Sequence, residues 1–328
     1  MLWFFLIFST VCWGLAEIFY KKGNVAHEPY AHLKTTVLVG FFFGIYSLFI
    51  LLTQDVNIKL LPKNFILYLP VAACYIVSMM CSYYGVRYIE ESISDPIENT
   101  SCAFVPILCA IFLKERLSLK TVIAIIVVVI GILGVGFFDT EGKEKRKKEL
   151  GKKLALISIA MPFCYMLLDA IGTFLDIYYT EDAATSVLVG VTDSNLEHTA
   201  NCCYEFTFFF VAVGILIYLK AKGVKFFAVN EDPLSVNEES GVKKTGLQKM
   251  LGQRNKILAA LFETGGQATY LFALSEGTGV AAVILGAGTV IISFILSRIM
   301  LKEKLTLMQY LFIAVIFVGI ISLSLLGV

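Results

Sequence analysis

A repeated segment constrains the fold of this chain more than any other feature. The segment at 113–136 reads LKERLSLKTVIAIIVVVIGILGVG, and it recurs at 301–324 as LKEKLTLMQYLFIAVIFVGIISLS, with nine of the 24 positions identical. The identical positions include the opening Leu-Lys-Glu, and Gly131 corresponds to Gly319 inside an apolar run. Repetition at a fixed separation indicates that the chain contains two versions of one unit.

The composition indicates that both units lie in a membrane. Hydrophobic residues make up 58% of the 328 positions and charged residues only 16%, which is more apolar surface than a water-soluble core can bury. The formal net charge of +1 gives no reason to expect nucleic acid as a partner. Most of the eight cysteines lie in apolar stretches, so they predict no disulfide framework.

Ten apolar segments are long enough to cross a bilayer, which takes about 20 helical residues. They lie near 2–20, 33–53, 64–87, 93–113, 118–138, 154–178, 199–219, 256–275, 279–300 and 306–327. The first has no charged residue before it and no small-residue cleavage site after it, so we interpret it as a retained span. The expected fold is all-α and integral to the membrane.

The basic residues indicate how these spans are oriented. The odd-numbered loops carry 22 of the 27 Lys and Arg residues, and the even-numbered loops and both tails carry 5. Because basic residues near span ends prefer the cytoplasm, both termini are predicted to lie outside. Each unit has five spans, an odd number, so the units at 1–138 and 154–328 insert in opposite senses. Such inverted repeats are typical of secondary transporters.

Two connections are longer than tight turns. The first is a charge run at 139–153, which we interpret as a basic, solvated cytoplasmic linker between the units, the alternative being a docking site for lipid or protein. The second, from Val224 to Asn255, is polar and is expected to form a cytoplasmic loop.

Several short motifs resemble the EamA-type repeat of the drug/metabolite transporter superfamily. They are Trp-Gly at 13–14, Tyr-Tyr-Gly at 83–85, FVPIL at 104–108 leading into LKERL at 113–117, and LKEKL at 301–305. The resemblance covers nearly the whole chain and implies a secondary transporter with a central cavity between the repeats. Phe294 stands where the first copy has Pro106, so the two helices are not expected to bend alike.

Carboxylates inside apolar spans are candidates for functional residues, because an ionisable side chain is costly to keep in hydrocarbon. At an offset of 152 residues Trp13 aligns with Tyr165 and Glu17 with Asp169, so each unit has an aromatic residue four positions before a carboxylate. Positions four apart share a helix face. This pattern predicts a pocket for a cation or a protonatable group.

The face of the first span that carries Trp13, Glu17 and Tyr20 has an alternative explanation. Tyr20 extends the face of Glu17, but Glu17 lies close enough to the inner edge to pair with Lys21 or Lys22. Asp169 has no basic residue within reach along its own helix, so it is the stronger candidate.

The eighth span supplies a third candidate group. Glu263, Gln267 and Tyr270 recur at helical spacing, and Glu263 lies deep in an apolar segment. The first-unit counterpart of Glu263 is Tyr75, so the symmetry is broken here, as a site for an asymmetric solute requires.

The fourth span opens with Ser-Asp-Pro-Ile-Glu-Asn at 94–99, which has the form of a helix start. Capping is therefore our first interpretation of Asp95 and Glu98, and a cavity role for Glu98 and Asn99 is the alternative. The small residues at 286–289 in the ninth span suit either close helix packing or a substrate path.

The sequence offers no constellation for covalent chemistry. Its three histidines lie at loops or a span edge, and it has no metal-ligand spacing, phosphate-binding glycine loop or nucleophile beside a base. We therefore predict neither an enzyme nor a bound cofactor or metal.

The predicted function is transport of a small molecule. A phosphorylated solute would need Arg or Lys in the cavity, so neutral, zwitterionic or cationic metabolites are the better class. We predict a multi-pass transporter of the cell membrane that works by alternating access, with protons as a candidate coupling ion and export favoured by the resemblance. The alternative is a membrane scaffold or receptor that uses the same fold without solute turnover.

The distribution of basic residues predicts the side on which the carboxyl terminus lies. A reporter enzyme that works only outside the cytoplasm should be active when it is fused after Val328. A cytoplasmic reporter that is active at the same position would contradict the predicted orientation.

Overall fold

The chain is a bundle of α-helices. A computed structural model describes residues 2–114, 116–137, 140–227, 252–302 and 306–325, and these residues form helices without any strand. The helices are α1 Leu2–Gly23, α2 Ala31–Thr53, α3 Leu61–Gly85, α4 Glu91–Glu98, α5 Ser101–Phe112, α6 Leu119–Phe137, α7 Thr140–Thr180, α8 Leu196–Ala221, α9 Arg254–Leu296 and α10 Leu307–Leu325, with a π-helical turn at Ser297–Leu301.

Many of these helices have the length and composition of membrane spans. Within the described ranges, six segments are long and apolar enough to cross a bilayer, namely Leu2–Gly23, Ala31–Thr53, Leu61–Gly85, Leu156–Thr180, Leu196–Ala221 and Ala281–Leu301. Shorter apolar helices lie at Leu119–Gly134 and Leu307–Gly319. The predicted all-helical membrane architecture is confirmed, and the count of ten spans and the inverted layout stay predictions.

Some of the sequence predictions concern residues outside the described ranges. These include 228–251 of the predicted cytoplasmic loop and part of each Leu-Lys-Glu motif, at 115 and 303–305. The predicted linker is helical from Thr140 and continues directly into the sixth predicted span as α7.

Helix α9 turns back on itself. If straight, its 43 residues would extend roughly 65 Å, twice the thickness of the hydrocarbon core. However, Ser9 and Thr269 share a hydroxyl hydrogen bond of 2.6 Å, and the next residue of α1, Thr10, packs against Gly288. Both contacts are possible only if the direction reverses between Thr269 and Gly288. The eighth and ninth predicted spans are therefore joined by helical backbone, and both legs pack on α1.

The fourth predicted span is divided into α4 and α5. Because α4 begins at Glu91, the residues from Asp95 to Glu98 lie at its end, and the interpretation of Asp95 and Glu98 as helix-start caps is wrong. Both carboxylates have other partners. Asp95 accepts a hydrogen bond from Ser293 of α9, and Glu98 accepts one from Ser94 at 2.8 Å. Asp95 thus contacts a distant helix and also accepts a 2.7 Å hydrogen bond from Asn99, whereas the partner of Glu98 is local.

Glycine allows the closest approach between α1 and the second leg of α9. A Cβ atom on Gly14 would lie 2.5 Å from Ile292 Cγ2 and 2.8 Å from Ile292 Cβ. A side chain at this position therefore needs the two helices to separate. By contrast, Gly214 in α8 has no atom within 4 Å of the position of a Cβ.

These two glycines predict opposite effects of the same substitution. Gly14→Ala should lower the free energy of unfolding by roughly 1–3 kcal/mol, because it overpacks a tight interface. Gly214→Ala should raise it by about 0.5–1 kcal/mol, because it removes backbone freedom from the unfolded chain. Thermal unfolding in detergent measures both variants, and a Gly14→Ala protein as stable as the parent would contradict this packing.

One end of the bundle is held by a buried ion-pair cluster. Glu28, in the connection between α1 and α2, lies 2.7 Å from Lys34 of α2 and 2.6 Å from Lys256 of α9. The three side chains are buried, and Arg87 donates to the carbonyl of Glu28 at 2.9 Å. Burial raises the pKa of Glu28, but the ammonium groups of Lys256 and Lys34 outweigh it and hold the pKa below its usual value.

The cluster makes stability depend on pH. Glu28→Gln leaves two buried ammonium groups without their anion, so it should cost about 3–5 kcal/mol near neutral pH. Since the folded-state pKa of Glu28 is lower than the unfolded-state pKa, its contribution is present above the unfolded-state value and is lost as the pH falls through the folded-state value.

Thermal unfolding of the parent and of Glu28→Gln should therefore converge as the pH is lowered from about 7 to about 3. Glu181→Gln, at an exposed loop position, is the matched control and should follow the parent throughout. A constant difference between the parent and Glu28→Gln at all pH values would contradict the ion-pair role.

Candidate functional site

A cavity lies among α1, α3, α5, α7, α8 and α9, and most of the predicted site residues line it. It contains about 820 Å³ of space outside the atoms, part of it open to solvent. Nine of the ten predicted residues line it: Trp13, Glu17, Tyr20, Asn99, Tyr165, Asp169, Glu263, Gln267 and Tyr270. The tenth, Glu98, is buried outside the lining. The structure thus brings nearly the whole set together, and its role in binding stays a prediction.

Asp169 and Glu17 differ in how they are held. Asp169 accepts a 2.7 Å hydrogen bond from Ser101 at the start of α5. Among the described residues Glu17 has no hydrogen-bond or ion-pair partner. The alternative in which it pairs with Lys21 or Lys22 is not found among the described residues, where the Lys21 ammonium donates to the carbonyl groups of Val86 and Ile89 and the Lys22 ammonium lies 5.7 Å from the ring centroid of Phe19. Glu17 therefore presents an unneutralised carboxyl group to the cavity.

Glu263 is held by tyrosines. It accepts a 2.9 Å hydrogen bond from Tyr20 of α1, and Tyr83 of α3 donates in turn to the Tyr20 hydroxyl at 3.0 Å. The indole ring of Trp13 lies 4.9 Å from the ring of Tyr270, and its buried Nε1 lies near Glu263 but makes no hydrogen bond of normal geometry with the described residues. A solute acceptor is one group that would satisfy this donor.

Sequence reasoning missed the contribution of α3. Four of its residues line the cavity, namely Tyr75, Met79, Ser82 and Tyr83. Their spacing of three and four residues is that of one helix face, so the pattern was readable as a polar stripe. The lining residue Tyr204 of α8 has no such repeat.

The lining is aromatic and acidic. Trp13 and six tyrosines surround three carboxylates, and none of the residues identified as lining the cavity is Lys, Arg or His. Aromatic faces and carboxylates both attract cations, whereas phosphate groups are bound by Arg and Lys. The cavity therefore suits a cationic, zwitterionic or neutral solute better than an anionic one.

Across the described ranges, no group of three His, Cys, Asp or Glu residues is placed to hold a metal ion. The eight cysteines are free thiols.

The chain is similar to known transporters, because the model of the EamA-like transporter family matches residues 1–137 and 200–325. No curated protein matches. One solved structure, described as "Crystal structure of protein", has a TM-score of 0.59 at 12% identity and covers 98% of this chain and 96% of its own. At this identity the likeness to the solved structure shows the fold alone.

Proposed function

Because the chain belongs to the EamA-like transporter family, as its motifs predicted, we propose that it moves a small organic solute across the cell membrane by alternating access. The membrane-type helical architecture is consistent with this function. The proposals for the solute class and the coupling ion rest on the chemistry of the cavity, and the proposal for the direction of transport rests on the family resemblance.

The observation that carries the proposal is the acidic, aromatic lining of the cavity. A solute with a positive charge gains from Glu17, Asp169 and Glu263 and from the surrounding rings. Neutral and zwitterionic metabolites remain within the class, because hydroxyl and amide groups also line the cavity. We propose export as the direction, with outward release of an amine or quaternary ammonium compound as the leading case.

The position of the carboxylates supports the proposal of proton coupling. A buried carboxylate is costly when charged, so it gains from binding either a proton or a cation. One carboxylate does not hold both well, and that competition produces exchange. We propose Asp169 as the principal exchange site, with Glu17 or Glu263 beside it.

Purified protein in proteoliposomes tests the function. A panel of amines, quaternary ammonium compounds and amino acids should contain at least one solute whose movement depends on an imposed pH gradient. Solute movement that does not depend on the pH gradient would support the transport function and contradict proton coupling. No movement of any solute in the panel would favour the scaffold or receptor alternative.

Asp169 gives the sharpest single variant. Asp169→Asn should insert and fold normally, because the amide keeps the size of the side chain and its oxygen can still accept from Ser101. It cannot take up a proton, so pH-driven transport should fall about tenfold or more, equal to at least about 1.4 kcal/mol. Asp193→Asn, at an exposed loop position, is the matched control. An Asp169→Asn protein with the transport rate and pH dependence of the parent would show that Asp169 is not the exchange site.

A further inference from the structure

We propose that Asp176 is a proton-binding site, separate from the carboxylates that line the cavity and connected to the cavity by hydroxyl groups. Asp176 lies in α7 and is fully buried. It does not line the cavity, so a solute cannot reach it directly. Its occupancy by a proton is a property of the site itself, whereas its use in transport rests on the function proposed above.

The connection runs through three hydroxyl groups. Asp176 accepts hydrogen bonds from Tyr68 and, at 3.2 Å, from Tyr75. The Tyr75 hydroxyl lies 2.9 Å from that of Tyr270 and 3.1 Å from that of Thr173, and the last two lie 3.1 Å apart. Tyr75, Thr173 and Tyr270 all line the cavity. The buried carboxylate is therefore one hydrogen bond away from a cavity wall.

This network satisfies Asp176 in both protonation states. As a carboxylate it accepts hydrogen bonds from the hydroxyl groups of Tyr68 and Tyr75. As an acid it carries its proton on Oδ2 and donates to the Tyr75 oxygen, and Tyr75 then turns its own proton toward Tyr270 or Thr173. A hydroxyl group can donate or accept in this way because its proton rotates. When a proton from the cavity reaches the Tyr270 oxygen, Tyr270 passes its own hydroxyl proton to Tyr75, and Tyr75 passes its proton to Asp176. Each tyrosine then again carries one proton, and the carboxylate of Asp176 has become an acid.

The position of Thr173 links this site to the proposed exchange site. Asp169, Thr173 and Asp176 follow one another at spacings of four and three residues, so they share one face of α7. Thr173 comes between the two carboxylates along this face, and its hydroxyl belongs to the network around Asp176. A proton that a cationic solute displaces from Asp169 into the cavity would reach Asp176 through Tyr270 and Tyr75, and Asp176 would hold it inside the bundle.

The described titratable groups around Asp176 are tyrosines, cysteines and carboxylates, and none of those that hydrogen-bond to it is cationic. The titratable groups near it are Tyr68 and Tyr75 from α3, Tyr204 from α8 and Tyr270 from α9. One step further away, Cys203 and Tyr179 lie near Tyr68, and Asp169 lies near Tyr75 and Tyr270. From α4 and α5, Glu98 and Cys102 lie near Asp169. None of the described groups that hydrogen-bond to Asp176 is cationic, so a proton is the charge that neutralises it most directly.

Infrared spectroscopy of the full chain in lipid nanodiscs tests the site without any solute. The C=O stretch of a carboxylic acid exists only while the acid is protonated, and its frequency depends on the hydrogen bonds of the group. Asp176→Asn should remove one such band, and in the parent that band should lose intensity as the pH is raised.

Tyr75→Phe should shift the frequency of that band and slow its hydrogen–deuterium exchange, because the hydroxyl connection to the cavity is lost. Tyr179→Phe is the matched control, since its ring lies 5.9 Å from that of Tyr68 and no hydrogen bond joins it to Asp176 among the described residues. It should leave the band unchanged.

A spectrum in which Asp176→Asn removes no acid band at any pH would overturn the proposal, and so would a band that does not respond to Tyr75→Phe. Should Asp176→Asn fail to fold, the comparison of Tyr75→Phe with Tyr179→Phe decides alone. A parent protein that shows the band but moves no solute would keep the proton site and remove its role in transport.

Discussion

A carboxylate inside hydrocarbon must find its partners within the protein, and this requirement ties the two halves of the bundle together. Five buried carboxylates each accept a hydrogen bond from a hydroxyl group of the other predicted unit, whereas Glu98 is held by Ser94 of its own unit. The pairs are Ser101 with Asp169, Tyr20 with Glu263, Tyr68 with Asp176, Ser47 with Glu205, and Ser293 with Asp95. Hydroxyl groups satisfy a carboxylate without neutralising it. The contacts that hold the halves together are therefore contacts at groups that can still bind a proton or a cation.

Equivalent positions of the two repeats take part in different kinds of contact. The offset of 188 residues that relates the repeats places Lys256 opposite Tyr68. Lys256 forms a buried ion pair with Glu28 at one end, and Tyr68 donates to Asp176 elsewhere in the bundle. The first contact is an ion pair, whereas the second joins a hydroxyl group to a carboxylate that has no cationic hydrogen-bond partner among the described residues. The equivalent positions of the two repeats therefore make contacts of different charge.

The spacing of residues along one helix correctly predicted which of them face the cavity together. Tyr165 and Asp169, or Glu263 and Gln267, face the cavity together because they share a helix face, and the spacing alone shows this. The errors concern long-range partners. Asp95 has the local signature of a cap, yet its partner Ser293 lies 198 positions away. Glu28 was not singled out, because Lys256 is 228 positions away. The apolar pattern separated the eighth span from the ninth but did not show that helical backbone continues through the reversal between them.

The same contacts suggest how occupancy of a site would act on the conformation of a transporter. A ligand shifts an equilibrium between two states only through its different affinity for them. A hydrogen bond to a charged acceptor is worth about 1 kcal/mol more than one to a neutral acceptor. When a proton or a cation neutralises Asp169, its bond from Ser101 weakens, and so does one contact between the halves. Protonation of Asp176, by contrast, keeps the bond to Tyr75 and only reverses its direction. Because Asp169 binds its ligand at the expense of an inter-unit contact, filling that site would lower the cost of moving one half against the other.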